Sequence, residues 1–159
     1  MIVKEIRDED FTSYKKPSMV IGFPTCSFKC CKEGNFPIEI CQNCELSIAQ
    51  NIEISINDII ERYMDNPITS AMVLGGLEPM DSFDDVQNLI MNFRHWCGDD
   101  VVIFTGYNKE EIADKIEMLN LYENIVIKYG RYVPGQQPHY DDVLGVNLIS
   151  DNQWAERIS

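Results

Sequence analysis

The sequence predicts an α/β fold built on a mostly parallel sheet. Three observations carry that expectation. Short apolar runs rich in β-branched residues recur along the chain, amphipathic helical stripes fall between them, and the alternation repeats at roughly thirty residues, the length of a strand–helix–strand unit. Strands that read as continuous apolar runs, without alternation, are those buried on both faces of a parallel sheet. Crossovers between them should be right-handed. A length of 159 residues fits one domain over 1–159.

Met1-Ile2-Val3 is an edge-strand candidate. Ser18-Met19-Val20-Ile21-Gly22-Phe23 reads as a buried strand that Pro24 stops. From Thr25 to Cys44 no period is visible, and Gly34, Asn35 and Pro37 mark a loop. A structureless stretch of that length inside a compact domain implies a function or a ligand that orders it. Ser55 with Asp58 opens a helix in the manner of a capping box, and Ile56, Ile59, Ile60 and Tyr63 form its apolar stripe until Asn66-Pro67 ends it. Ala71-Met72-Val73-Leu74 is the next strand, broken by Gly75-Gly76. Phe83, Val86, Leu89, Ile90 and Phe93 share a helical face. Val101-Val102-Ile103-Phe104 is a third parallel strand, closed by Thr105-Gly106-Tyr107. Ile112, Ile116 and Leu119 mark a further helix, and Asn124-Ile125-Val126-Ile127 a fourth strand. The tail is polar and irregular from Gly135 to Tyr140, with Val143 to Ile149 as one more candidate strand.

Charge and composition exclude several function classes. Thirteen basic against 26 acidic residues give −13, so neither a nucleic-acid backbone nor an anionic membrane surface is an expected partner. An apolar fraction of 45% is too high for a disordered acidic tail. No apolar run is long enough to span a bilayer, and the charged start Lys4-Glu5-Ile6-Arg7-Asp8 has no secretory h-region. The expected location is therefore the cytoplasm, a reducing compartment in which six cysteines do not make a disulfide framework.

Five of those six lie between Cys26 and Cys44. Cys26 and Cys30 enclose three residues, Cys31 is adjacent, and Cys41 and Cys44 enclose two. Thiolates this crowded suit a soft metal, and spacing alone leaves zinc and an iron–sulfur cluster both open. Buried apolar cysteines are the plainer alternative, but the segment is too polar for it. Cys97 stands apart and reads as structural. Gly75-Gly76-Leu77-Glu78-Pro79 lets the backbone turn tightly and approach a ligand, although alone it reads better as a simple strand-to-helix turn. It is neither a dinucleotide fingerprint nor a phosphate loop. In a parallel sheet the Cys26–Cys44, Gly75–Pro79 and Thr105–Tyr107 segments all follow strands, and so open onto one edge, where ligands of such sheets bind. His95 reads as structural and His139 as a weak functional candidate. No Ser–His–Asp set exists, no residue is assigned a catalytic role, and the paired aspartates are solvated surface.

Taken together these segments resemble the radical S-adenosylmethionine enzymes, and among them the small activating proteins of anaerobic ribonucleotide reductases. Cys26-Ser27-Phe28-Lys29-Cys30 matches the first two cysteines of the superfamily signature. The usual third would fall at Glu33; a divergent pattern, with Cys-Gln-Asn after a longer loop, places it at Cys41, with Cys31 and Cys44 as alternatives. Gly75-Gly76-Leu77-Glu78-Pro79 resembles the segment that meets the amino group of S-adenosylmethionine. Phe104-Thr105-Gly106-Tyr107 and Ser150-Asp151-Asn152-Gln153 resemble two further family segments, and Gly130 stands where the family has Asp-Gly.

The resemblance implies a partial, open (β/α) barrel, with residues 25–44 as a cluster-binding loop. It implies a 4Fe–4S cluster on Cys26, Cys30 and Cys41, and S-adenosylmethionine against Gly75, Gly76, Glu78, Thr105, Gly106 and Asn152. It also implies reductive cleavage of S-adenosylmethionine to a 5′-deoxyadenosyl radical, an external electron donor, and a large glycyl radical enzyme, anaerobic ribonucleotide reductase, as partner. Modification of another peptide or protein, or a non-catalytic iron–sulfur or zinc protein, are the alternatives.

Overall fold

A computed structural model describes residues 1–159. Its centre is a six-stranded sheet whose parallel strands are β3 (Ser18–Phe23), β5 (Ala71–Gly76), β6 (Asp100–Phe104) and β7 (Ile125–Tyr129). Val20 pairs with Val73, Val73 with Val102 and Val102 with Val126, so one row of β-branched side chains crosses all four strands. Two antiparallel strands close the edges: β2 (Glu5–Asp10) against β3, and β10 (Trp154–Arg157) against β7. The spatial order is β10-β7-β6-β5-β3-β2. Smaller ribbons pair β1 (Ile2–Val3) with β4 (Ile52–Glu53), and β8 (His139–Asp141) with β9 (Val146–Leu148).

The four central strands step across the sheet in one direction, and their connections carry three helices: α3 (Ile56–Met64), α4 (Phe83–Phe93) and α5 (Ala113–Leu119). All three pack on the same face, as crossovers of one hand require. Ile59, Tyr63, Leu89, Phe93, Ile116 and Leu119 meet Met19, Ile21, Met72, Leu74, Ile103 and Ile127 there, in a core of 22 buried residues. The opposite face carries only nine, where Tyr14, Leu144 and Leu148 cover the valine row.

Helix boundaries follow local chemistry. Ser55 accepts from Asp58 N at 3.0 Å and caps α3. Asn108 and Glu111 form a reciprocal capping box at the turn Lys109–Ile112 that leads into α5.

Several expectations need correction. The segment 25–44 is not a structureless loop. It holds α1 (Lys29–Gly34), a 3-10 turn (Ile38–Ile40) and the start of α2 (Cys44–Ile48). Each piece is shorter than two helical turns, so no apolar period can register in the sequence. Gly75 and Gly76 do not end their strand but complete it, pairing with Gly22 and Phe23. Of Val143–Ile149 only Val146–Leu148 is strand. The edge strands β2 and β10 were not expected. Both are polar, because an edge strand needs only one buried side and is kept from pairing with other chains by charge.

Candidate iron–sulfur site

Because β3, β5, β6 and β7 run parallel, the segments that follow them meet at one edge of the sheet. There they enclose a cavity of about 350 Å³. Its floor is the sheet itself. Gly22 and Gly75 are cross-strand partners, and Phe104 and Lys128 are partners farther along. A Cβ placed on Gly75 would meet nothing nearer than Phe104 Cβ at 3.7 Å, so the missing side chain leaves room above the strand.

Three cysteines line this cavity: Cys26, Cys30 and Cys41. Cys44 does not. Cys31 is buried and lines a separate cavity with Phe28, Phe36 and Ile38, although its Sγ is 4.0 Å from that of Cys30. Cys26, Cys30 and Cys41 thus share one cavity lining, and Cys31 and Cys44 lie outside it. Cys26 Sγ accepts from Phe28 N at 3.2 Å, a contact that Phe28 makes by adopting the left-handed conformation at φ 52. Burial pushes the Cys26 thiol up to about 12, against that donor, and raises Cys41 as well. A metal that draws these thiols into the thiolate form would displace their protons.

No three cysteine, histidine or carboxylate side chains converge as the ligands of one ion would. The donor chemistry of Cys26, Cys30 and Cys41, three thiols lining one cavity, suits a soft metal.

The remaining expected residues divide into a wall and an outlier. Glu78 is 6% exposed and accepts from Thr105 Oγ1 at 2.7 Å, Gly106 N at 2.8 Å and Met80 N at 3.1 Å. Burial raises its carboxyl above the ordinary carboxylate range, and those three donors act against the rise. Glu78, Thr105 and Gly106 are therefore one hydrogen-bonded unit along the cavity wall. Gly76 also lines it, and its carbonyl accepts from Asn43 Nδ2, which ties the Cys41–Cys44 limb to the glycine pair. Asn152 is the outlier: it is exposed, and its Nδ2 donates to Arg131 O at 3.0 Å. Gln153, its buried neighbour, is the residue of that box that lines the cavity. The turn alternates its side chains, so a displacement of one residue exchanges the two.

Sequence reasoning missed Lys128. It is 7% exposed, faces the cavity, and has one acceptor, Gly130 O at 3.2 Å. Burial lowers its pKa to about 8, with the negative charge of Glu78 opposing. A lysine inside the apolar strand Ile125–Tyr129 was the available signal. Glu33 is turned away from the cavity, onto Arg131. Cys97 accepts from Asp99 N at 3.3 Å outside the site, and His95 holds Met91 O at 2.8 Å. His139 Nδ1 is buried without a partner, and His139 does not line the cavity.

The parallel sheet brings three thiols and a glycine pair to one edge. The iron–sulfur class comes from comparison with family profiles. The chain belongs to the 4Fe-4S single cluster domain family, which matches residues 19–148 and so includes all five clustered cysteines. No curated protein and no solved structure matches the chain. No helix is long and apolar enough to cross a membrane.

Proposed function

We propose that the protein holds a 4Fe–4S cluster on Cys26, Cys30 and Cys41, leaves one iron free of protein ligands, and binds S-adenosylmethionine beside it. The single observation that carries this reading is the cavity. A site built only to hold a cluster has no need of about 350 Å³ of space walled by Gly75, Gly76, Glu78, Thr105 and Gly106. When bound, cluster and S-adenosylmethionine supply reductive cleavage of the sulfonium to methionine and a 5′-deoxyadenosyl radical. This chain's own residues bind and orient. The Gly75 and Gly76 backbone admits a ligand close to the sheet, and the Glu78–Thr105–Gly106 unit presents fixed polar groups. The buried Lys128 ammonium suits an anionic group of the ligand, since a charge taken out of water is stabilised by a counter-charge. The sheet, open at both edges, is read as the partial (β/α) barrel of the radical S-adenosylmethionine enzymes.

The substrate of the radical is proposed to be a large glycyl radical enzyme, anaerobic ribonucleotide reductase, which would cover the open end of the cavity and exclude solvent. An electron donor is required from outside the chain. At −13 the surface can steer toward a basic patch on such a partner.

A second reading rests on Cys31. Its Sγ, 4.0 Å from that of Cys30, is near enough to complete a fully thiolate-bound cluster, which would be an electron carrier with no place for S-adenosylmethionine. One experiment separates the readings. Anaerobically reconstituted protein is given reductant and S-adenosylmethionine, and methionine and 5′-deoxyadenosine are measured in wild type, Cys31→Ala, Cys41→Ala and Cys44→Ala. We expect cleavage in all but Cys41→Ala. A protein that carries iron and sulfide but cleaves nothing is the electron carrier. Addition of the reductase large subunit should then yield a glycyl radical by electron paramagnetic resonance; cleavage without that radical overturns the partner alone.

A further inference from the structure

We propose that Glu33 and Arg131 form a latch that positions the Cys26–Cys30 limb for cluster uptake, and that they are positioning residues and not ligands. The inference rests on the proposed ligation of the cluster by Cys26 and Cys30, and not on S-adenosylmethionine cleavage.

Helix α1 carries Cys30 but has little of its own to hold it. It is six residues long, its first residues have no side-chain cap, and Cys31 is its one buried residue. A helix this short is not stable by itself in water, and left-handed residues, Phe28 and Asn35, bracket it. What secures it is charge. Lys29 and Glu33, at i and i+4, lie on one face. Glu33 takes a bidentate fork from Arg131, Nε to Oε2 at 3.0 Å and Nη2 to Oε1 at 3.2 Å. Arg131 Nη2 also reaches Glu111 Oε1 at 2.8 Å, and that same oxygen accepts from Lys29 Nζ. The four groups form a chain, Lys29–Glu111–Arg131–Glu33, that ties both ends of α1 to the segments following β6 and β7.

The clamp is itself braced. The Arg131 side chain is only 11% exposed, its Nη1 donates to Gly106 O, and its guanidinium lies 5.3 Å from the centre of the Tyr107 ring. Planar, two-point geometry of this kind fixes orientation as well as distance. The Cys41 limb is held differently: Asn43 Nδ2 donates to Gly76 O, and Lys4 Nζ donates to Ser47 O at 3.2 Å and to Ala49 O. The Cys26–Cys30 limb is thus fixed by a fork between charged side chains, and the Cys41 limb by bonds to backbone carbonyls.

The test measures iron loss to an excess of chelator from the anaerobically reconstituted protein, followed by visible absorbance with no S-adenosylmethionine present. Failure of the cleavage reading would leave this result untouched. Wild type is compared with Glu33→Gln, Arg131→Lys and the double variant, and the melting temperature of each cluster-free protein is the control. We expect each single variant to lose iron about five- to tenfold faster, because lysine cannot make the fork. The double variant should be no faster than the worse single, as coupled partners require, and added salt should speed loss in wild type more than in Glu33→Gln. Rates within twofold of wild type in both singles would overturn the proposal. So would independent multiplication of the two effects in the double variant, or a fall in cluster-free melting temperature that accounts for the faster loss.

Discussion

At Gly76 the backbone has φ +79, and a Cβ there would stand 2.6 Å from Gly22 Cα and 2.9 Å from Phe23 N. Its neighbour Gly75 faces open space. Any side chain at 76 must therefore push two strands apart, whereas one at 75 enters the cavity. We expect Gly75→Val to fold, to keep its iron, and to bind S-adenosylmethionine at least tenfold more weakly in equilibrium titration. Gly76→Val should fail to accumulate as folded protein. Equal affinity in folded Gly75→Val would remove this strand end from the ligand site. Lys128 gives a second expectation. Its pKa falls from 10.5 to about 8 on folding, so below pH 8 the folded state carries a buried charge that the unfolded state keeps in water. A shift of this size corresponds to on the order of 3 kcal/mol. Lys128→Met should stabilise the cluster-free protein by about that amount at neutral pH. The difference should shrink as pH rises from about 8 to 10.5 and wild type sheds the proton first in the folded state. Urea titrations of both proteins across that range check the sign. Neither the space above Gly75 nor the burial of Lys128 is written in local sequence, because both depend on which strands become neighbours.

Elements with a strong period were legible; those held by tertiary partners were not. Helices α3 and α4 carry apolar stripes, and the central strands are apolar throughout, so both were placed from sequence. Helix α1 has no stripe because charge holds it. Strand β10 is bound through its pairing with β7 and through Arg157, whose Nη2 meets Asp100 Oδ1 at 2.7 Å. Asp100 opens β6, is 4% exposed, and also takes Lys16 Nζ at 2.7 Å and Tyr14 O–H at 3.0 Å. Burial alone would raise its carboxyl; Lys16, Arg157 and Tyr14 outweigh that and lower it below the usual 3.8. The stabilisation is therefore present above 3.8 and lost as pH falls through the lower folded value. Asp100→Asn should cost about 2–3 kcal/mol at neutral pH, since it leaves two cations without their anion. The deficit against wild type should narrow in acid, as wild type is protonated too. An unchanged deficit at about pH 2 would mean that packing, not charge, sets the cost.

For the molecule as a whole, the candidate site was legible as a set of segments and not as a cavity. Sequence order and strand polarity place Cys26–Cys44, Gly75–Pro79 and Thr105–Tyr107 at one edge. That Gln153 and not Asn152 lines the cavity, that Cys31 and Cys44 lie outside it, and that a charge network holds α1 emerge only when the chain is folded. Net charge acts at this scale. If acidic surface steers the protein toward a basic partner, association should slow with added salt while S-adenosylmethionine cleavage in the absence of partner does not. A salt-insensitive association rate, measured by stopped-flow or surface methods, would assign recognition to exposed apolar side chains such as Ile38 and Ile40, each 44% exposed.

The unequal faces of the sheet carry a further consequence for motion. Twenty-two buried residues sit on the helical side and nine on the other. The side chains of the second group that come from outside the main sheet belong largely to the hairpin of β8 and β9 and to Tyr14. Local opening free energy scales with the apolar contact that opening must break. In native-state hydrogen exchange the amides of 139–148 should therefore trade their protons well before those of β5, β6 and β7, as a separate unit that detaches while the helices stay seated. Val146, Asn147 and Leu148 of that unit line the cavity, so the same fluctuation that exposes the hairpin to deuterium also widens the chamber in which the thiols stand. The thin side of the sheet is then the side through which the site breathes.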